Sequence, residues 1–192
     1  MINETKNQIM SGARQCFFRH GYTASNITLI SQYAGFSRVT VHKQFKNKDD
    51  AFRQLCLLIV DESTQACEPI LENTSLPCWD AIESIMAIWL RPTFEEVSDQ
   101  VVMRDLKYHV QEVADDIFVA AHELVENMIR SRLTMGIENQ EINIANTEVT
   151  IADMANLLVA CLDGVRGHIH HADIKVRCHQ LVNIFKQATL TR

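Results

Sequence analysis

Gly35-Phe36-Ser37-Arg38-Val39-Thr40-Val41-His42-Lys43-Gln44-Phe45 is the stretch that decides how this chain folds. Gly35 can take the left-handed conformation that stops a preceding helix, and Ser37 is placed to cap the next one. Phe36, just before the cap, can pack on Val41 as a hydrophobic staple and fix the angle at which the new helix sets off. Val41 and Phe45 stand four apart and form one apolar face, which leaves Arg38, Val39, Thr40, His42, Lys43 and Gln44 mostly outward. A short helix with a cationic, polar outer face is built to touch something.

Residues 5–20 place Ile9, Ala13, Cys16, Phe17 and His20 at the spacing of one helical face, and Gly21 closes that helix. Ser25 or Asn26 can cap a second, short helix whose apolar residues are Ile27, Ile30 and Ala34. On the other side, Asn47-Lys48 leads into a long helix from Asp49 toward Glu68, with Asp49 and Asp50 suited to its positive end and Pro69 expected to disturb or end it. Helix, short helix, glycine turn and capped short helix is the layout of a helix-turn-helix, whose second short helix lies in the major groove of DNA.

Ile9, Ala13, Phe17, Gly21-Tyr22, Ser25, Ile27, Ile30, Ala34-Gly35, Ser37, Thr40, Phe45 and Lys48 together resemble the DNA-binding head of the TetR family over residues 9–52. The resemblance implies an all-α protein with a helix-turn-helix domain at 1–48 and a ligand-binding and dimerisation domain at 49–192. It implies that Ser25, Asn26 and Thr28 at the start of the second helix, and Lys48, hold phosphates of a duplex operator. Ser37, Arg38, Val39, Thr40, His42 and Lys43 complete the expected DNA-binding surface. Arg38 and Lys43 can donate to guanine O6 and N7, and the Thr40 methyl can meet a thymine methyl. At two places the chain departs from the family. Val39 puts a stiff, β-branched apolar group on the reading face, and His42, shorter and ionisable, stands where the family has a phosphate-binding tyrosine.

The remainder reads as further helices at about 77–90, 94–113, 116–135, 147–171 and 173–190, punctuated by Pro92 and Gly136, with 138–146 as the longest loop. By resemblance, a cavity among the middle helices binds a small-molecule effector that releases a repressor from its palindromic operator. The candidates to line it are Met86, Trp89, Phe94, Met103, Leu106, His109, Phe118, His122, Met128 and Cys161, a set that suits an apolar or aromatic molecule. The last two helices carry more apolar surface than an edge position needs. A stripe of Leu158, Leu162, Val165, Ile174, Cys178, Leu181 and Phe185 is expected to face a second copy in a homodimer. An alternative is a metal-responsive regulator of the same fold using His168, His171, Cys178 and His179, with His170 and Asp173 nearby, although their spacing matches no established zinc pattern.

Charge supports a polyanion-facing head on an acidic body. The chain carries a net charge of −6, yet residues 1–50 hold seven Lys and Arg against three Asp and Glu. Locally clustered cations, and not the global sum, supply binding energy to phosphates. The six cysteines show no C-x-x-C pair and read as reduced, mostly buried thiols. No apolar run reaches the ~18 residues of a membrane span and the start lacks a signal-peptide pattern, so a cytoplasmic protein without a membrane role is expected. No G-x-S-x-G, Walker loop, dinucleotide fingerprint or H-E-x-x-H appears, which argues against an enzyme and calls for no cofactor. The rival from another class is a helical protein-interaction module that does not bind DNA.

Overall fold

The computed structural model describes residues 2–90, 96–168 and 171–190, with the side chains of all of these except 2, 3, 163, 165–168 and 171–174. The described chain is helical: α1 Ile2–His20, α2 Ile27–Ala34, α3 Arg38–Gln44, α4 Lys48–Glu72, α5 Cys78–Trp89, α6 Gln100–Val113, α7 Asp115–Glu138, α8 Ile151–His168 and α9 His171–Ala188. Among the described residues the only β pairing is a single bridge between Ile142 and Leu190. No helix among them is long and apolar enough to cross a membrane.

Packing divides the chain into two units, one of residues 1–61 and 93–119, the other of residues 62–92 and 120–192. The division expected at 48/49 separated a DNA-binding head from a body by role. The packing division instead gives α6 and the first half of α4 to the N-terminal unit. The reason is a shared core, in which Met103, Leu106, Ala114 and Ile117 join Ile9, Phe17, Ile30, Val41, Phe45, Phe52 and Leu55 in one buried cluster. At its centre the rings of Phe17 and Tyr22 each meet Phe52 edge to face, with centroids 5.1 Å apart in both pairs. Arg53 of α4 fastens the far end of α6, donating to the Val113 carbonyl at 2.6 Å and, through both terminal nitrogens, to the Asp116 carboxylate at 2.7 Å.

In the second unit the indole of Trp79 on α5 donates to the Thr189 hydroxyl at 2.9 Å, just past the end of α9. Glu83 and Asp80 on the same helix pair with His179 and Lys186 at 2.9 and 3.4 Å. Arg132, buried on α7, donates to the carbonyls of Asn73 and Leu76 and so caps the chain leaving α4. Five of the six cysteines are buried, and none is disulfide-bonded. Burial lifts the thiols of Cys56 and Cys78 to about 12, so they remain neutral packing groups.

Several helix boundaries differ from the pattern read along the sequence. Pro69 does not end α4, which continues one turn to Glu72, where the Asn73 N–H donates to the Pro69 carbonyl at 3.3 Å. Gly136 lies inside α7 and is buried; a Cβ there would stand 2.7 Å from the Cys78 sulfur, so this glycine permits a close approach and does not mark a turn. The helix expected from 94 begins at Gln100, because Asp99 accepts from the N–H groups of Val101 and Val102. The helix expected from 147 begins at Ile151, where Thr150 and Asp153 cap each other reciprocally.

Gly12 governs how α1 meets α2. A Cβ at that position would fall 2.5 Å from the backbone N and Cα of Ala34, which a rigid helix cannot yield. Gly12→Ala is therefore expected to lower unfolding stability by about 1–3 kcal/mol despite alanine's better helix propensity, as read by urea denaturation.

Candidate nucleic-acid interface

The head is built around two tight turns and two caps. Gly21 and Gly35 both take positive φ, 77° and 71°, so each helix before them ends where only glycine fits without strain. Asn26, rather than Ser25, caps α2: its Oδ1 accepts from the Leu29 N–H at 2.9 Å. Ser25 is buried, its hydroxyl donating to the Gly21 carbonyl at 2.5 Å, so this side chain serves the turn and does not face outward. Asn26 and Thr28 are exposed at the start of α2, where the first N–H groups of a helix have no intrahelical acceptor and suit an anion.

Ser37 caps α3 by accepting from the Thr40 N–H at 3.1 Å, and its hydroxyl also meets the Thr40 hydroxyl at 2.9 Å. Val41 and Phe45 are fully buried beneath the helix. Arg38, Val39, His42 and Lys43 stand exposed on its outer face, as the spacing predicts. Gln44, expected outward, turns toward α4 instead: its side-chain amide donates to Gln54 at 2.9 Å, and Gln54 returns a bond to the Gln44 carbonyl at 3.2 Å. Thr40 is half-buried, and its hydroxyl is bonded to Ser37 at the start of the helix.

Lys48 sits at the start of α4 with its ammonium 3.9 Å from the centre of the Tyr22 ring and donates to the Tyr22 carbonyl at 3.2 Å. Tyr22 in turn donates its phenol to Asp49 at 2.6 Å. Burial first, and then the Asp49 carboxylate, push that phenol's pKa up, so Tyr22 stays a neutral donor. Sequence reasoning missed the next layer, contributed by α6. Asp105 accepts from the Thr23 N–H at 2.9 Å and from its hydroxyl, and its carboxylate lies where a Cβ on Gly21 would go. His109, proposed as an effector contact, stacks on Tyr22 with centroids 4.1 Å apart. Its Nδ1 lies 2.8 Å from the Asp105 carbonyl, which can only accept, so Nδ1 carries a proton. Nothing local could have announced these contacts, since 82 residues separate Thr23 from Asp105.

The other residues expected to line an effector cavity divide between the units. Met103 and Leu106 are buried in the N-terminal core with Phe118 packed against it, while Met86 and Trp89 are buried in the second unit. His122, Met128 and Cys161 are half-buried there, and Phe94 lies outside the described residues. Of the stripe expected to face a second copy, Leu158, Leu162 and Cys178 are buried within their own unit, and Leu181 and Phe185 are half-buried, the latter against Trp79. The side chains of Val165 and Ile174, and of His168, His171 and Asp173 of the metal alternative, lie outside the described set, as does His170. Cys178 is buried and its thiol raised to about 11, and His179 pairs with Glu83. Among the described residues no three His, Cys, Asp or Glu side chains are arranged to hold a metal.

A capped recognition helix with exposed cations, mounted on a three-helix head, defines a helix-turn-helix DNA-binding regulator. Residues 9–55 match the family described as bacterial regulatory proteins, tetR family. Over those residues the chain is similar to the DNA-binding part of the TetR family of transcriptional regulators. It is 24% identical over 169 residues to an uncharacterised HTH-type transcriptional regulator, YhgD of Bacillus subtilis, covering 84% of each chain. It is 26% identical over 170 residues to the HTH-type transcriptional repressor AcnR of Corynebacterium jeikeium, covering 88% of this chain and 82% of that one. Among solved structures, a TetR transcription regulator from Haloarcula marismortui shares the fold with a TM-score of 0.79 at 18% identity, over 98% of this chain and 100% of that one. The SmeT–triclosan complex shares it with a TM-score of 0.67 at 18% identity, over 98% and 92%.

The Asp105 clamp has a pH signature. Burial works to raise its pKa, but the bonds from Thr23, the neighbouring His109 and the Tyr22 backbone outweigh it and hold the carboxylate below its ordinary value. A carboxylate depressed in the folded state contributes stability that is whole above its unfolded pKa, about 3.9, and is lost as pH falls through the lower folded value. Asp105→Asn is therefore expected to be less stable than the wild type at pH 7, with the gap closing below about pH 4. Urea titrations at pH 7, 4 and 3 measure it; a gap that stays constant across that range would contradict the clamp.

Proposed function

We propose that this regulator is a repressor that holds a palindromic operator as a homodimer and leaves it when a small, apolar or aromatic molecule binds its C-terminal part. The observation that carries the DNA-binding half of this reading is the outer face of α3. Its interior side chains, Val41 and Phe45, are wholly buried, whereas Arg38, Val39, His42 and Lys43 stand free of the head. A two-fold dimer would set two such helices in successive major grooves, about 34–36 Å apart. Among the described residues of α8 and α9, the exposed apolar side chains Leu157, Val176 and Ile184 are available to a second copy. Methionine and tryptophan in the C-terminal unit, Met86, Trp89 and Met128, suit an apolar effector, and the structural neighbour SmeT is known as a complex with triclosan. An effector that favours a different spacing of the heads lowers DNA affinity by its differential binding, and ~2–3 kcal/mol of coupling makes a useful switch.

The test begins with duplexes enriched by the purified protein from a randomised library. Replacing Arg38 and Lys43 together by alanine is expected to weaken binding to an enriched duplex by on the order of 100-fold and to flatten its salt dependence. Unchanged retention, or binding indifferent to salt, would favour the protein-interaction alternative. Leu157→Asp with Ile184→Asp is expected to convert a two-subunit species into single chains in light scattering, with operator affinity falling alongside.

A further inference from the structure

Of the exposed groups on α3, one is chemically out of place. Val39 is 70% exposed, while the other two apolar residues of the 38–45 segment, Val41 and Phe45, are at 0%. An isolated apolar side chain on a free surface needs no explanation, but this one occupies the second residue of a recognition helix, the end from which base edges are reached. Its neighbours are cations and a histidine, so it is the one apolar group on the face.

We infer that Val39 is the residue by which this protein reads a thymine, covering its C5-methyl group in each half-site. This deepens the operator reading and rests on it. Two observations select the residue. In unmodified DNA the thymine methyl is the sole apolar group on a major-groove base edge, so an apolar side chain delivered there has one complement. Thr40, the alternative source of a methyl, is half-buried with its hydroxyl bonded to Ser37 at 2.9 Å, so it offers less apolar surface than Val39, which is 70% exposed. Val39 is also suited by its own chemistry. A β-branched side chain in a helix has essentially one χ1 rotamer, so little freedom is lost when it is covered. Lys43 lies one turn on along the same edge, four residues away, and places a donor for guanine O6 or N7 beside the apolar contact. The half-site is accordingly expected to hold a thymine within one or two base pairs of a guanine, read together by Val39 and Lys43.

The experiment uses the full chain and a duplex enriched from a randomised library. Each thymine is replaced in turn by deoxyuridine, which removes only the methyl. With the wild type, one position per half-site is expected to cost about fourfold in affinity, the worth of one buried methyl group, and the paired substitution about 15-fold. With Val39→Ala, affinity for the parent duplex falls by a similar factor and sensitivity to deoxyuridine at that position disappears, while sensitivity to neutralising Lys43 remains. Because residue 39 is exposed, this variant leaves the core untouched, and an unchanged thermal unfolding midpoint confirms it. A wild-type scan flat at every thymine, or a Val39→Ala protein as sensitive as the wild type, would overturn the assignment of Val39 alone. Enrichment of no duplex would instead sink the operator reading on which it stands.

Discussion

A helix of seven residues is too short to hold itself in water, so α3 exists only because something else holds it. That something is the burial of Val41 and Phe45, four residues apart, in a core whose other walls include α1, α2, α4 and α6. Once those two side chains are inserted, the rotation of the helix about its axis is settled, and with it the identity of every residue that faces away. The caps refine this. Ser37 fixes where the helix begins, and Gln54 of α4 draws Gln44 inward so that the outward set ends at Lys43. The reading surface is thus a consequence of packing on the opposite side, and a cavity beneath α3 would reach DNA binding without touching a DNA-facing residue.

The same dependence runs through the turn after α1. Gly21, Tyr22 and Thr23 are gripped from two directions: Lys48 and Asp49 of α4 hold Tyr22, while Asp105 and His109 of α6 hold Thr23 and the face of the Tyr22 ring. Each contact alone is modest, because most of these groups are partly exposed and screened by water. Together they close the start of α4 and the middle of α6 onto one three-residue turn. Any displacement of α6 must therefore either carry that turn with it or break a carboxylate from two donors.

Much of this was legible in the sequence because it is locally encoded. Two glycines, a serine cap and apolar residues at three- and four-residue spacing are short-range signals, and they placed α1, α2 and α3 and the exposed set Arg38, Val39, His42 and Lys43. What escaped was whatever depends on residues far apart in the chain. The inward roles of Ser25 and Gln44 required knowing what lay above them, and the seat of Asp105 on Thr23 required α6 to arrive from 82 residues away. The apolar stripe of the last two helices shows the same limit from another side. Hydrophobic periodicity says that a face is covered, but not whether the cover is the chain's own α5 or a second copy. Here Trp79 takes Phe185 and Thr189, which leaves Leu157, Val176 and Ile184 outside. Gly136 misled for a related reason, since a glycine that makes room for a cysteine reads locally like one that makes a turn.

The composition of the reading face also bears on how affinity and selectivity would be divided. Cations on a duplex release counterions whatever the sequence, so in the proposed complex Arg38 and Lys43 would supply attraction that weakens steeply with salt. An apolar group contributes nothing to that release and depends on a methyl being present. A head that carries Val39 among its cations therefore combines a salt-sensitive grip with a salt-insensitive preference. Raising ionic strength then lowers affinity for matched and bulk DNA together while the ratio between them, set by the methyl contact, holds.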